Sequence, residues 1–198
     1  MAIIAKANGG NFEPIPPGNH LAMCYQLIDI GTQKGNWQGK ETIRRVVRIV
    51  FELPNLKREF KLGEGERPYS VNKEYTLSLG KGAGLRKHLE SWRGKAFTDE
   101  QLAGFDLKNI LGKSCLLQIA TNDKGYSEIQ AITSVPQGME KPDKTFNEYL
   151  YFDLEEFDEN SFNKLPDFLK NKIQDSVEYK NRMGHSVDTY NNPDDTVF

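Results

Sequence analysis

Metal and redox chemistry have little to work with in this chain. Its 198 residues include two cysteines and three histidines. Cys24 and Cys115 each sit inside apolar, strand-like runs and read as small core side chains; His20, His88 and His185 are too scattered for metal-ligand spacing. No metal site is expected. Long apolar runs are absent too: nothing approaches the roughly 18 residues of a membrane helix. The opening MAIIAKANGG lacks the basic start, long apolar stretch and cleavage site of a secretory signal, so a cytoplasmic location is expected.

Catalytic signatures are equally sparse. GKGAG at Gly80–Gly84 follows a strand-like run and precedes a helical one, but Leu85 stands where a dinucleotide fingerprint needs its third glycine. Gly112, Lys113 and Ser114 end like a P-loop, yet Leu107 replaces the glycine five residues earlier. No nucleophile-elbow sequence singles out a serine. The carboxylates of Asp153–Glu159 lie in an acidic, aromatic stretch suited to solvation or partner contact. The expectation is a non-enzymatic protein without a cofactor.

What is present is an aromatic fraction of 11 % and an uneven charge. Residues 1–135 carry 19 Lys and Arg against 14 Asp and Glu; residues 136–198 carry 7 against 14. A basic body with an acidic end suits an anionic ligand plus a basic partner, or competition between the end and the ligand.

The chain divides at the linker-like PQGMEKPDK into a body, 1–135, an acidic-aromatic extension, 136–175, and a polar tail, 176–198, whose composition predicts disorder. In the body, HLAMCYQLIDI is a first strand, followed by turn chemistry carrying Lys34, Trp37 and Lys40. TIRRVVRIVFEL is a second: Ile43, Val47, Ile49, Phe51 and Leu53 fall on one face, and Arg44, Val46, Arg48 and Val50 on the other. Pro54 is expected to close it and open a loop to Asn72. KEYTLSLG makes a third strand. Leu85, Leu89 and Trp92 mark a short helix ending at Gly94, and Thr98 with Gln101 reads as a capping box. KSCLLQIAT and GYSEIQAITSV form a closing hairpin around Asn122–Gly125. In the extension, SFNKLPDFLKNKIQ predicts a short helix entered near Pro166, with Phe168, Leu169 and Ile173 as its apolar face.

Three strands, a helix and two strands give a mainly β protein in the order of an OB-fold, a five-stranded Greek-key barrel with its helix between strands 3 and 4. Here a short C-terminal helical extension follows. Such a small barrel fills its interior, leaving its outside and loops for function. Single-stranded nucleic acid requires cations for phosphates and exposed rings for bases. The chain offers Lys34, Trp37, Lys40, Arg44, Arg48, Lys57, Arg58, Phe60, Tyr69, Lys124 and Tyr126 on the strands and loops an OB-fold uses. Trp37 also reads as a loop anchor, Tyr126 as a half-buried strand residue, and Arg45 as the partner of an acid at the rim.

The chain ends DDTVF. This resembles the acidic tip of bacterial-type single-stranded-DNA-binding proteins, which finish in aspartates, two residues and a terminal Phe. Asp194, Asp195 and Phe198 match; Thr196 and Val197 replace the usual Ile-Pro pair. With LPDFLKNKIQDSVEYK, the layout is similar to the single-stranded-DNA-binding proteins of bacteriophages. The resemblance implies DNA protection in replication, recombination and repair, recruitment of partner proteins through the tip, and residence in the host cytoplasm if phage-encoded; separately, a barrel with one short auxiliary helix often assembles, which leaves a homo-oligomer open. The residues alone leave three alternatives open: RNA in place of DNA, a protein–protein adaptor working through Tyr149–Phe157, and an inhibitor mimicking nucleic acid with Asp153–Glu159.

Overall fold

The computed structural model describes residues 13–37 and 39–188. The chain is mainly β, with six strands among the described residues: β1 (Gly18–Trp37), β2 (Lys40–Glu59), β3 (Glu66–Thr76), β4 (Ser114–Thr121), β5 (Ser127–Thr133) and β6 (Leu150–Phe152). The first five lie antiparallel in the order β3-β2-β1-β4-β5; β6 pairs with β1 in parallel, Leu150 opposite Gln26. Alternation over five longer runs predicts five strands in this order, but the third, expected at KEYTLSLG, runs over Glu66–Thr76, and β1 continues to Trp37 through the stretch expected to be a turn. A three-residue strand leaves no alternation to read, so the sixth corrects that count. β2 also does not stop at Pro54. A register shift between Leu53 and Lys57 carries the proline through an irregularity, where its missing N–H breaks no regular ladder. The stretch expected to be a loop is therefore a hairpin, turning over residues 60–65.

Within β2 the alternation holds where the sheet continues on both sides. Val47, Ile49, Phe51 and Leu53 point into a core that also receives side chains from β1, β3, β4 and β5. One core lined by five strands requires the sheet to curl. Helix α1 (Gly84–Arg93), between β3 and β4, adds Leu85, Leu89 and Trp92, and the Trp92 indole donates to the Ser114 carbonyl at 2.8 Å. The left-handed Gly94, φ 68°, terminates α1; the Thr98–Gln101 capping box opens α2 (Asp99–Ala103). Among the described residues no ladder joins β3 to β5. Lys73 spans that seam instead, its ammonium donating to the Ile129 carbonyl at 2.6 Å. Cys24 and Cys115 lie fully buried in this core, and burial pushes the Cys24 thiol up to about 12 and the Cys115 thiol well above its usual value.

A second apolar layer covers the opposite face of β1 and β2. Tyr25, Ile28, Ile30, Val46 and Val50 pack beneath Phe152, Leu154, Phe162, Leu165, Leu169 and Ile173. The last four come from α3 (Glu159–Asn163), α4 (Asp167–Gln174) and the turn between them. At about 1.5–3 kcal/mol per buried large side chain, the six covering residues contribute on the order of 10 kcal/mol before ordering entropy is subtracted. The extension thus holds more helix than the one expected, and α5 (Val177–Asp188) occupies the start of the tail that composition reads as disordered. Glu178 fastens α5 by accepting from the Thr32 amide and hydroxyl. Nearby, Arg45 meets Asp29 and Glu155, both at 2.6 Å, the pairing with an acid that its break in the apolar face suggests.

Two chain positions join body and layer. Glu52, wholly buried, accepts from the amides of Phe146 and Asn147 and from the Asn147 side chain, at 2.6–2.9 Å. Gly31, at a register shift in β1, has φ 77°; a Cβ there would come within 2.6 Å of both Leu154 and Ser176. Beyond Gly31, β1 and β2 pair only with each other among the described residues, because β3 ends its ladder opposite Val46. Ile43, in this two-stranded ribbon, is therefore 68 % exposed and not the core residue that alternation predicts.

Candidate nucleic-acid interface

The proposed contact residues separate into three places. The first is a cleft of about 420 Å³ where the β2–β3 hairpin faces the β4–β5 hairpin across the β3–β5 seam. It gathers Arg58, Phe60, Tyr69 and Tyr126. Phe60 is 53 % exposed and Tyr126 55 % exposed, so both offer ring surface to a ligand. Tyr69 is a core residue; it meets Phe60 edge to face at 5.1 Å between centroids and so orients the exposed ring. Ile15 seals one side, its amide donating to the Ser127 hydroxyl at 2.8 Å. Arg58 pairs with the exposed Glu13 at 3.2 Å, its own side chain only 20 % exposed at the cleft wall.

Exposed Lys57 and Lys124 belong to the same two hairpins. The β4–β5 turn is pre-shaped: the Asn122 side chain accepts from the amides of Lys124 and Tyr126, and Gly125 adopts φ 80°. The cleft therefore sits between two structured hairpins, with cations at its margin.

The second place is the ribbon at the far end of β2, with exposed Lys34, Lys40 and Arg44; Lys40 pairs in register with Trp37. Arg44 and Arg58 are 14 residues apart along one strand, an upper limit of roughly 45 Å at about 3.3 Å per residue. Among the described residues, Lys34, Lys40, Arg44, Lys57 and Lys124 form no ion pair.

The third place corrects the expectation of an open basic face on β2. Arg48 lies under the C-terminal layer: it pairs with Glu74 at 3.1 Å and sits 5.4 Å beneath the Phe168 ring. Val46 and Val50 on either side are buried by the same layer, so the middle of β2 does not meet solvent directly.

Sequence reasoning missed the surface that the layer supplies. Leu169 and Ile173 are buried as their i, i+4 spacing dictates, but Phe168, one residue off that stripe, is 58 % exposed. The spacing of Leu165, Leu169 and Ile173 was the available signal. Asp194, Asp195 and Phe198 lie outside the described residues. Among the described residues there is no group of three or more His, Cys, Asp or Glu able to hold a metal ion, and no helix long and apolar enough to cross a membrane. No protein-family model matches the chain, and no curated protein is detectably similar to it.

Proposed function

We propose that this chain is a non-enzymatic binder of single-stranded DNA, built on an OB-related barrel and engaging its ligand mainly through the cleft at the β3–β5 seam. The carrying observation is the convergence there of two exposed rings, Phe60 and Tyr126, with Arg58, flanked by Lys57 and Lys124. Base stacking contributes on the order of 1–3 kcal/mol per ring and tolerates any base, while the cations meet phosphates. The OB-related reading is supported by the strand order, by α1 between β3 and β4, and by the single core shared by five strands. Asp194, Asp195 and Phe198 would recruit basic partners in replication or recombination, the aspartates and terminal carboxylate taking Lys or Arg and the ring filling a pocket.

The test is an anisotropy titration of a labelled dT oligomer at about 50 and 200 mM salt. With Lys57, Arg58 and Lys124 on three phosphates, affinity should fall about twenty-fold between those conditions. Phe60→Ala and Tyr126→Ala should each weaken binding, and deleting residues 194–198 should leave it unchanged or tighter. Absence of binding at low salt would end the proposal. A ribo-oligomer in parallel decides between DNA and RNA.

A further inference from the structure

The C-terminal layer covers the basic middle of β2, yet what it presents to solvent is again an aromatic ring among cations. Phe168 projects from α4 with more than half its surface exposed. The guanidinium of Arg48 lies 5.4 Å from the ring centroid, close enough for a cation–π contact. Lys172 reaches Glu74 at 2.6 Å, the same carboxylate that Arg48 engages at 3.1 Å. Two cations thus share one carboxylate. Lys170 is balanced by the exposed Asp167 at 3.5 Å, leaving a net positive charge beside the ring.

The ring's position matters as much as its charge. Glu74 is two residues along β3 from Asn72, which lines the cleft, a step of about 7 Å. On the other side, the Lys172 carbonyl accepts from Gln33 at 3.0 Å, and Gln33 lines a groove together with Lys34 and with Lys180, which Asp175 in the same groove pairs at 3.3 Å. Phe168 therefore stands between the cleft and the base of the ribbon.

Resting on the nucleic-acid reading above, we infer that Phe168 is a base-stacking platform, and that α4 belongs to the single-strand-binding surface and carries the strand from the cleft toward the ribbon. Its inner neighbours, Leu169 and Ile173, hold the helix rigidly on the sheet, so the platform is already in place before the ligand arrives.

The experiment uses the full chain with a labelled dT oligomer of about 15 nucleotides, near the upper end of single-fold site sizes. Phe168→Leu keeps side-chain bulk and removes the ring; Phe168→Trp restores a ring. Phe168→Leu should weaken binding about five- to fifty-fold with melting temperature unchanged, and Phe168→Trp should return affinity to within about two-fold of wild type. Photo-crosslinking to a halogenated oligomer should label the peptide containing Phe168. If wild type binds and Phe60→Ala weakens it, while Phe168→Leu binds like wild type and Phe168 stays unlabelled, the platform is wrong and the cleft stands. If wild type binds no oligomer, both fall.

Discussion

Glu52→Gln is the substitution that most directly probes how the C-terminal layer is fastened to the body. The carboxylate is fully buried and, among the described residues, has no ion-pair partner; its charge is met by three N–H donors. Oε1 accepts from the Phe146 amide at 2.7 Å, and Oε2 from the Asn147 amide at 2.9 Å and side chain at 2.6 Å. Glutamine preserves the shape but places an NH2 against donors on one side. If the amide oxygen keeps Phe146, two charge-assisted bonds are lost and two donors are left facing a third. At about 1.5–3 kcal/mol per bond to a charged group, partly offset by the easier burial of a neutral amide, the loss should be about 3 kcal/mol. For a protein of this size that is a fall in melting temperature of about 6–12 °C. Urea unfolding followed by circular dichroism measures it, and limited proteolysis should show faster cleavage within residues 136–147. A Glu52→Gln protein within about 0.5 kcal/mol of wild type and equally resistant would refute this account of the buried charge.

Two further outcomes follow from local geometry. Gly31→Ala should destabilise by about 2–4 kcal/mol, since a Cβ would meet Leu154 and Ser176 at 2.6 Å in a left-handed backbone; Gly63→Ala, with φ 84° and open space around it, should lose only about 1 kcal/mol in the same unfolding assay. Equal losses would show that the contact with the layer is not tight. Burial, with Lys73 and Lys87 adding to it, holds His88 below its ordinary value, so the unfolded chain takes up a proton first as pH falls through about 6.5. Stability contributed by neutral His88 is present above that pH and lost below it: wild type should lose more melting temperature between pH 7.5 and 5.5 than His88→Gln, and parallel profiles would contradict the assignment.

Local patterns carried much of the body. Leu85, Leu89 and Trp92 fix α1 because a three-to-four-residue repeat puts them on one stripe, and Thr98 with Gln101 marks the next helix by hydrogen bonds confined to four residues. The inner face of β2 was equally readable from Val47 to Leu53. Alternation assigns residues to faces without saying what covers each face. Val46, Arg48 and Val50 looked like a solvated basic strip because their cover arrives more than 100 residues later. Pro54 misled for a related reason: its effect depends on whether the partner strand is in register at that point, which only the β2–β3 pairing decides. At the candidate site, Arg58, Phe60, Tyr69 and Tyr126 were legible as residue types near turns. Their convergence at one seam depends on the curl of the whole sheet.

The way the layer closes on β1 and β2 also bears on synthesis. Strands β1 to β5 are complete at Thr133, but Leu169 and Ile173, which cap Ile28, Ile30, Val46 and Val50, are made some 40 residues later. At about 5–20 residues per second, a nascent chain would show that apolar strip to its surroundings for roughly 2–8 s. During translation the sheet is therefore sticky on the face that becomes the interior of the finished protein, and truncated products ending near the linker should aggregate or be held by chaperones.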